Sequence, residues 1–213
     1  MPILRVHAKQ GHVDTETTDA LVLLLCEGEG LPKEDGAILD RALGGALRDL
    51  LQSKEFDGKA GEVVLFHTHG KIPAKRLILV GLGKKHDLGL DQIRQAMGHA
   101  VKRVRQAKAG TFAVALPSSV PHGASPIDVG QTMTEGAILG SYQFTAYRSD
   151  AQTGKGVTAM TVLAPQKDHL RQLSEGIRRG VATAEATVYV RDLCNHPSNV
   201  MTPTRIASEA KTV

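Results

Sequence analysis

The 213-residue chain contains no tryptophan, and its three tyrosines and four phenylalanines leave it poor in aromatic rings. The chain therefore has few side chains on which nucleic-acid bases could stack. Its two cysteines, Cys26 and Cys194, are too few for a disulfide framework, so we expect two free thiols, with Cys26 buried in an apolar run. No apolar run approaches the roughly 18 residues of a membrane-spanning helix, and the first residues lack the layout of a signal peptide. These absences argue against secreted and membrane classes and predict a cytoplasmic protein without a membrane partner.

What the chain does have is a regular alternation of apolar strands and amphipathic helices. The run from Ala20 to Cys26 has no polar alternation, which is typical of a strand covered on both faces. Periodicity and turn residues predict strands at 3–6, 20–26, 62–67, 75–80, 111–116 and 157–163, and helices at 35–51 (capped by Asp35 and divided at Gly44 and Gly45), 91–109, 126–140, 168–194 and 204–210. Both strands at 62–67 and 75–80 are expected to be buried. The short connections predict an α/β fold, a three-layer α/β/α sandwich on a mixed, mostly parallel sheet.

The helix at 168–194 is the longest predicted element. It carries an apolar stripe with helical spacing and a ridge of small residues at Gly176, Gly180 and Ala184, on which another backbone can come close. Asn195 and Pro197 end the pattern. The stripe is longer than one strand layer can cover, so we expect the helix to project and to be partly exposed. Its members are Leu170, Leu173, Ile177, Val181, Ala184 and Val188.

Two stretches of the chain resemble a known family. Residues 190–204, VRDLCNHPSNVMTPT, resemble the interdomain segment RDL-x-N-x-P-x-N-x-x-TP of the cytosolic leucyl aminopeptidases. Residues 135–148, EGAILGSYQFTAYR, resemble the stretch EGA-x-LG-x-Y-x-F-x-x-YK that precedes it in the same proteins. The resemblance implies that the chain is the amino-terminal half of a longer enzyme.

The same resemblance implies a division of the chain and a set of partners. Residues 1–165 are expected to form a macro-domain-like amino-terminal domain, residues 166–196 an interdomain linker helix, and residues 197–213 the start of the catalytic domain. The family's enzymes release amino-terminal residues from peptides with two divalent metal ions, zinc or manganese, and are hexamers. Hexamer assembly and control of access to the active sites are therefore the expected work of this domain.

The family's catalytic motifs are missing from this sequence. Residues 155–158, KGVT, match the beginning of a catalytic motif, but the next four residues, AMTV, lack its metal-binding aspartate. The motif NTDAEGRL is absent altogether. The sequence therefore predicts no catalytic residue, no metal ligand and no cofactor within this chain.

Two weaker patterns keep binding functions open. Gly81, Gly83 and Lys84 follow a strand and could cradle a phosphate, so a macro-like module for ADP-ribose or another phosphate ligand is one alternative. Tight-turn glycines are the preferred interpretation. His67 and His69 could share one face of a strand as metal ligands, although two ligands do not make a site. The second alternative is DNA binding through the basic face of the helix at 91–109.

Overall fold

The computed structural model of the protein describes residues 4–147, 156–164 and 166–211. Its strands are β1 (Arg5–Gln10), β2 (Ala20–Cys26), β3 (Val63–His67), β4 (Arg76–Gly83), β5 (Thr111–Ala115) and β6 (Ala159–Ala164). They form a sheet in the order β1-β6-β5-β2-β4-β3. Neighbouring strands are parallel except β3 and β4, which are antiparallel. The sheet is therefore mixed and mostly parallel, which confirms the sequence prediction.

Helices cover both faces of this sheet. They are α1 (Asp35–Ala42), α2 (Ala46–Gln52), α3 (Leu90–Gln106), α4 (Pro126–Ser141), α5 (Lys167–Asn195) and α6 (Pro203–Ala210). One hydrophobic core joins the sheet to α3, α4 and α5, and the other joins it to α1 and α2. All seven residues of β2 are buried, because this continuous apolar strand contributes alternate side chains to the two cores. The three-layer α/β/α sandwich is confirmed.

Several local predictions are wrong. β3 is an edge strand whose apolar side chains are half-buried, because it pairs only with β4. The glycines at 81 and 83 belong to β4 instead of a turn beyond it. Asp35 is the first residue of α1, and Glu34 occupies the N-cap position without a side-chain hydrogen bond. The predicted loop at 147–155 lies outside the described residues beyond Tyr147.

Glycine residues bring α3, α4 and α5 unusually close. A Cβ atom on Gly176 would collide with the carbonyl oxygen of Ile127 in α4, and one on Gly180 would lie 2.6 Å from the carbonyl oxygen of Gln131. On the opposite side of α4, a Cβ atom on Gly136 would meet backbone of α3. The small-residue ridge predicted for α5 is therefore confirmed, and its partner is the backbone of α4.

The projection predicted for α5 is wrong for its first half. Leu173, Ile177 and Ala184 are buried, because α4 and β1 cover the apolar stripe. Among the described residues, none of α5 beyond Ala184 is fully buried, and Val190 is 55% exposed. The second half of α5 is thus the part that extends from the body of the domain.

Candidate functional site

The two stretches that resemble the family lie against each other at the end of α4. Tyr142 directly follows α4, and its hydroxyl donates to Asp192 Oδ1 at 2.7 Å. The same hydroxyl accepts a hydrogen bond from Asn195 Nδ2 at 3.0 Å. The guanidinium of Arg191 lies 5.8 Å from the centre of the tyrosine ring, within cation–π range. One side chain of the body therefore contacts three residues in the last turns of α5.

A second contact joins the same two segments. The hydroxyl of Tyr147 lies 2.6 Å from Nδ1 of His196, the residue that follows α5. The ring of Phe144 meets the imidazole edge-on at 5.2 Å, and the Tyr147 ring does so at 5.7 Å. Edge-to-face pairs of this kind stabilise a contact beyond their buried area. We call these two contacts together the aromatic latch; it consists of Tyr142, Phe144, Tyr147, Asp192, Asn195 and His196.

The latch encloses a small cleft of about 240 Å³. The apolar residues Leu4, Ile138 and Val188 line it together with Tyr142 and Asp192. Burial and the hydrogen bond to Asp192 raise the pKa of Tyr142, so its phenol remains a hydrogen-bond donor at neutral pH. The periodicity of α5 predicts none of this, because the partners are some 50 residues apart in sequence.

The acidic residue that begins the upstream stretch has a structural role. Glu135 is 5% exposed and forms an ion pair with Arg94 of α3 at 2.9 Å. Gln131 donates to its other oxygen at 2.9 Å, and Arg94 also reaches Asp91 at 2.8 Å. Arg94 belongs to the basic helix proposed as a DNA-binding face, and these two ion pairs neutralise it there.

The glycines considered as a phosphate cradle have their backbone groups engaged. The N–H of Gly81 donates to the carbonyl of Glu62 and that of Gly83 to the carbonyl of Gly58, each at 2.9 Å. A Cβ atom on Gly81 would collide with the carbonyl oxygen of Lys59. The chain's own turn at 58–61 thus occupies the position that a phosphate would need. Gly83 has a φ of +82°, which favours glycine there.

Glu29 joins three loops at the carboxyl ends of the parallel strands, where ligands of open α/β sheets bind. Its carboxylate accepts a hydrogen bond from Lys85 Nζ at 2.7 Å and from the hydroxyl of Ser119 at 2.9 and 3.2 Å. The hydrogen bond from Lys85 is the main reason that the pKa of Glu29 lies below its usual value. Burial raises the pKa of the neighbouring Cys26 thiol. Sequence reasoning missed Glu29, although glycines flank it on both sides.

The two histidines considered as metal ligands are close but differ in setting. Their ring centres are 6.2 Å apart and both are exposed. His67 ends β3, whereas His69 lies beyond the strand with a φ of +50°, so the predicted shared strand face is wrong. Within residues 4–147, 156–164 and 166–211, three or more His, Cys, Asp or Glu side chains nowhere gather closely enough to hold a metal ion. The helices of that same part of the chain include none long and apolar enough to span a membrane.

The fold and the latch define a macro-domain-like α/β domain that continues into a long helical extension. A macrodomain of Oceanobacillus iheyensis, solved with ADP, matches 83% of this chain and 91% of its own length with a TM-score of 0.62 at 14% identity. A tomato leucine aminopeptidase variant matches 99% of this chain with a TM-score of 0.83 at 23% identity, over 42% of its own length. The second match therefore includes the extension as well as the domain.

The sequence comparisons identify the family. The profile of the N-terminal domain of the cytosol aminopeptidase family matches residues 22–151. The probable cytosol aminopeptidase of Geobacter sp. strain M21 is 42% identical over 180 residues, which are 81% of this chain and 34% of that protein. The chain belongs to the cytosol aminopeptidase family, and its residues 22–151 correspond to the N-terminal domain of that family. It spans 34% of the length of that relative and 42% of the length of the probable cytosol aminopeptidase of Alkaliphilus oremlandii.

Proposed function

We propose that this chain is the non-catalytic amino-terminal domain of a cytoplasmic leucyl aminopeptidase and that its work is positional. Residues 1–165 form the domain, residues 166–196 the linker helix, and residues 197–213 the beginning of the catalytic domain. The whole enzyme releases amino-terminal residues from peptides with two divalent metal ions, zinc or manganese, whose ligands lie outside this chain. Its domain assists assembly of a hexamer and limits access to the active sites.

The observation that carries the proposal is the aromatic latch. It fastens the far end of α5 to the body at Tyr142 and Tyr147, after the glycine ridge has fixed the near end. A helix held at two separated points has a defined direction. The segment beyond it exposes apolar side chains at Val200 and Ile206, which are 39% and 50% exposed. These positions suit contact with the catalytic domain, whose orientation the latch then determines.

The latch can be tested on this chain by hydrogen exchange. Replacing Tyr142 and Tyr147 by phenylalanine removes both hydroxyls and keeps the rings. We expect faster amide exchange in residues 185–195 and unchanged exchange in residues 170–180, because each lost hydrogen bond contributes about 0.5–1.5 kcal/mol. The matched control is Tyr189→Phe, which alters a hydroxyl of α5 that bonds Glu209 in α6.

The positional role can be tested in a chimaera. This chain replaces the matching part of the Geobacter sp. strain M21 relative, and hydrolysis of leucine p-nitroanilide is measured with manganese or zinc. We expect turnover by the chimaera, a lower rate in the double phenylalanine variant, and a normal rate in the Tyr189→Phe control. Equal rates in all three proteins, with unchanged exchange at 185–195, contradict the proposed role of the latch.

A further inference from the structure

The two edges of the sheet are built differently. β1 exposes Arg5, His7 and Lys9, and α5 packs against it, so charge and cover both protect that edge. β3, at the opposite edge, reads VVLFH and carries no acidic residue, lysine, arginine or proline. Its four apolar side chains are half-buried. An apolar edge strand without charge, proline or cover is a template for pairing with another strand, although its five residues limit the contact.

The hydrogen bonds at both ends of β3 show which of its residues face β4. The N–H of Gly81 donates to the carbonyl of Glu62 at 2.9 Å, and the N–H of Thr68 donates to the carbonyl of Lys75 at 3.3 Å. The register between these two bonds is continuous. In an antiparallel pair, every second residue exchanges hydrogen bonds with its neighbour. The even-numbered residues from 62 to 68 therefore direct their backbone groups towards β4.

The odd-numbered residues direct their backbone groups away from the sheet. They are Val63, Leu65 and His67, and no hydrogen bond from a described residue reaches their outer N–H and C=O groups. Leu65 is the midpoint of this row. The side chains of Val63 and Leu65 pack towards the core under α3, and those of Val64 and Phe66 pack towards the core under α1 and α2.

We propose that two copies of this chain pair through β3, antiparallel and around a two-fold axis at Leu65. Leu65 then lies opposite Leu65 of the second copy, and Val63 lies opposite His67. These three pairs exchange about six backbone hydrogen bonds. Val64 faces Phe66 of the second copy, an apolar pair on one side of the extended sheet. Because β3 is antiparallel to its own copy, the same surface on each copy supplies the hydrogen-bond partners for the outward N–H and C=O groups of the other.

The second copy is favoured over another occupant by this symmetry and by charge. No acidic, lysine or arginine side chain of β3 opposes another in the proposed register, and each half of the strand offers its partner the same apolar pair of Val64 with Phe66. A five-residue strand buries far less than the roughly 800 Å² per partner of a stable interface, so the contact is weak by itself. The inference rests on the proposed assembly role and deepens it, since it names one of the surfaces that assembly uses.

A charge-reversal pair tests both the surface and the register. Leu65→Lys places two ammonium groups opposite each other, and Leu65→Glu does the same with carboxylates. We expect the unmodified chain to show concentration-dependent dimers in analytical ultracentrifugation, and each variant alone to raise the dimer dissociation constant at least about tenfold. An equimolar mixture of the two variants is expected to recover association. The matched controls are His7→Lys and His7→Glu on the protected edge, which should leave association unchanged.

A second measurement covers the case in which a charged residue at 65 weakens folding. Leu65→Cys, made together with Cys194→Ser, is a smaller change, and a hydrogen-bonded pair brings the two Cα atoms to about 5.5 Å, within disulfide range. We expect a cross-linked dimer on mild oxidation. A monomer at every concentration, with no cross-link, overturns both this inference and a self-assembly role. If the chain dimerises, but the charge variants leave the dissociation constant unchanged and the cysteine variant does not cross-link, then another surface joins the copies. That result overturns the pairing through β3 and leaves the self-assembly role intact.

Discussion

Replacing Gly180 by alanine tests the close packing of α5 on α4. The new Cβ atom would lie 2.6 Å from the carbonyl oxygen of Gln131 and 2.8 Å from the Cβ atom of Thr134. Thr134 is buried and Gln131 is half-buried in α4, and the oxygen is backbone, so rotation of a side chain cannot relieve the contact. The two helices must move apart.

The expected magnitude follows from two opposing effects. Alanine is favoured over glycine in a helix interior by about 1 kcal/mol. Overpacking a close interface costs about 1–3 kcal/mol, and the upper end applies here because a backbone atom must shift. The net loss in the free energy of unfolding is therefore about 2 kcal/mol. For a chain of this size, that loss lowers the melting temperature by about 4–8 °C.

Gly98→Ala is the matched control, because Gly98 lies inside α3 in the same helical layer. A Cβ atom there has its nearest neighbour, the carbonyl oxygen of Gly136, at 3.8 Å, which is ordinary contact. This variant keeps the propensity gain and should raise stability by up to about 1 kcal/mol. Urea denaturation followed by circular dichroism measures both. If Gly180→Ala is as stable as Gly98→Ala, the helices are not held at backbone contact and the reasoning fails.

Three further predictions concern the loops and the candidate sites. Gly83→Ala should lower the melting temperature, because the φ angle of Gly83 is +82° and the new Cβ atom would lie 3.2 Å from the Cβ atom of Ala60. Micromolar affinity of the unmodified chain for ADP-ribose, measured by calorimetry, contradicts the structural interpretation of this glycine. Since Lys85 depresses the pKa of Glu29, the native carboxylate stabilises the fold above its unfolded pKa of 4.5 and loses this effect as the pH falls through the lower folded pKa. The difference in the free energy of unfolding between the unmodified chain and Glu29→Gln should therefore shrink in acid. A difference that stays constant from pH 7 to pH 3 refutes this prediction. The chain alone should not hydrolyse leucine p-nitroanilide with manganese, zinc or cobalt, and turnover that persists after His67 and His69 are both changed to alanine reveals a site outside those histidines.

Local sequence patterns predicted the helices and strands whose formation depends only on residues adjacent in sequence. The apolar run at β2 and the division of the first helix at Gly44 and Gly45 both depend on neighbouring residues, and the structure confirms them. The glycine ridge of α5 was also visible, although its partner was not. Helical spacing shows that a close approach is possible, and only the fold shows that α4 makes it.

The rest depends on contacts between distant segments. Sequence alone does not bring Glu29 to Ser119 or Tyr142 to Asp192, because each pair is at least 50 residues apart. The edge position of β3 was missed for a related reason. Its composition resembles that of a buried strand, and the number of neighbours a strand has is decided by the order of the sheet.

The second half of α5 can be considered as a lever. The eleven residues from Glu185 to Asn195 extend roughly 16 Å past Ala184, the last fully buried residue of α5. At that radius a tilt of about 1° moves the tip by about 0.3 Å. The hydrogen bonds of Tyr142 and Tyr147 lie at the tip of α5. A given displacement of the tip corresponds to a smaller tilt of the helix than the same displacement of a residue near Ala184. Two hydroxyl groups placed there restrain the direction of the helix far better than the same two groups placed near Ala184.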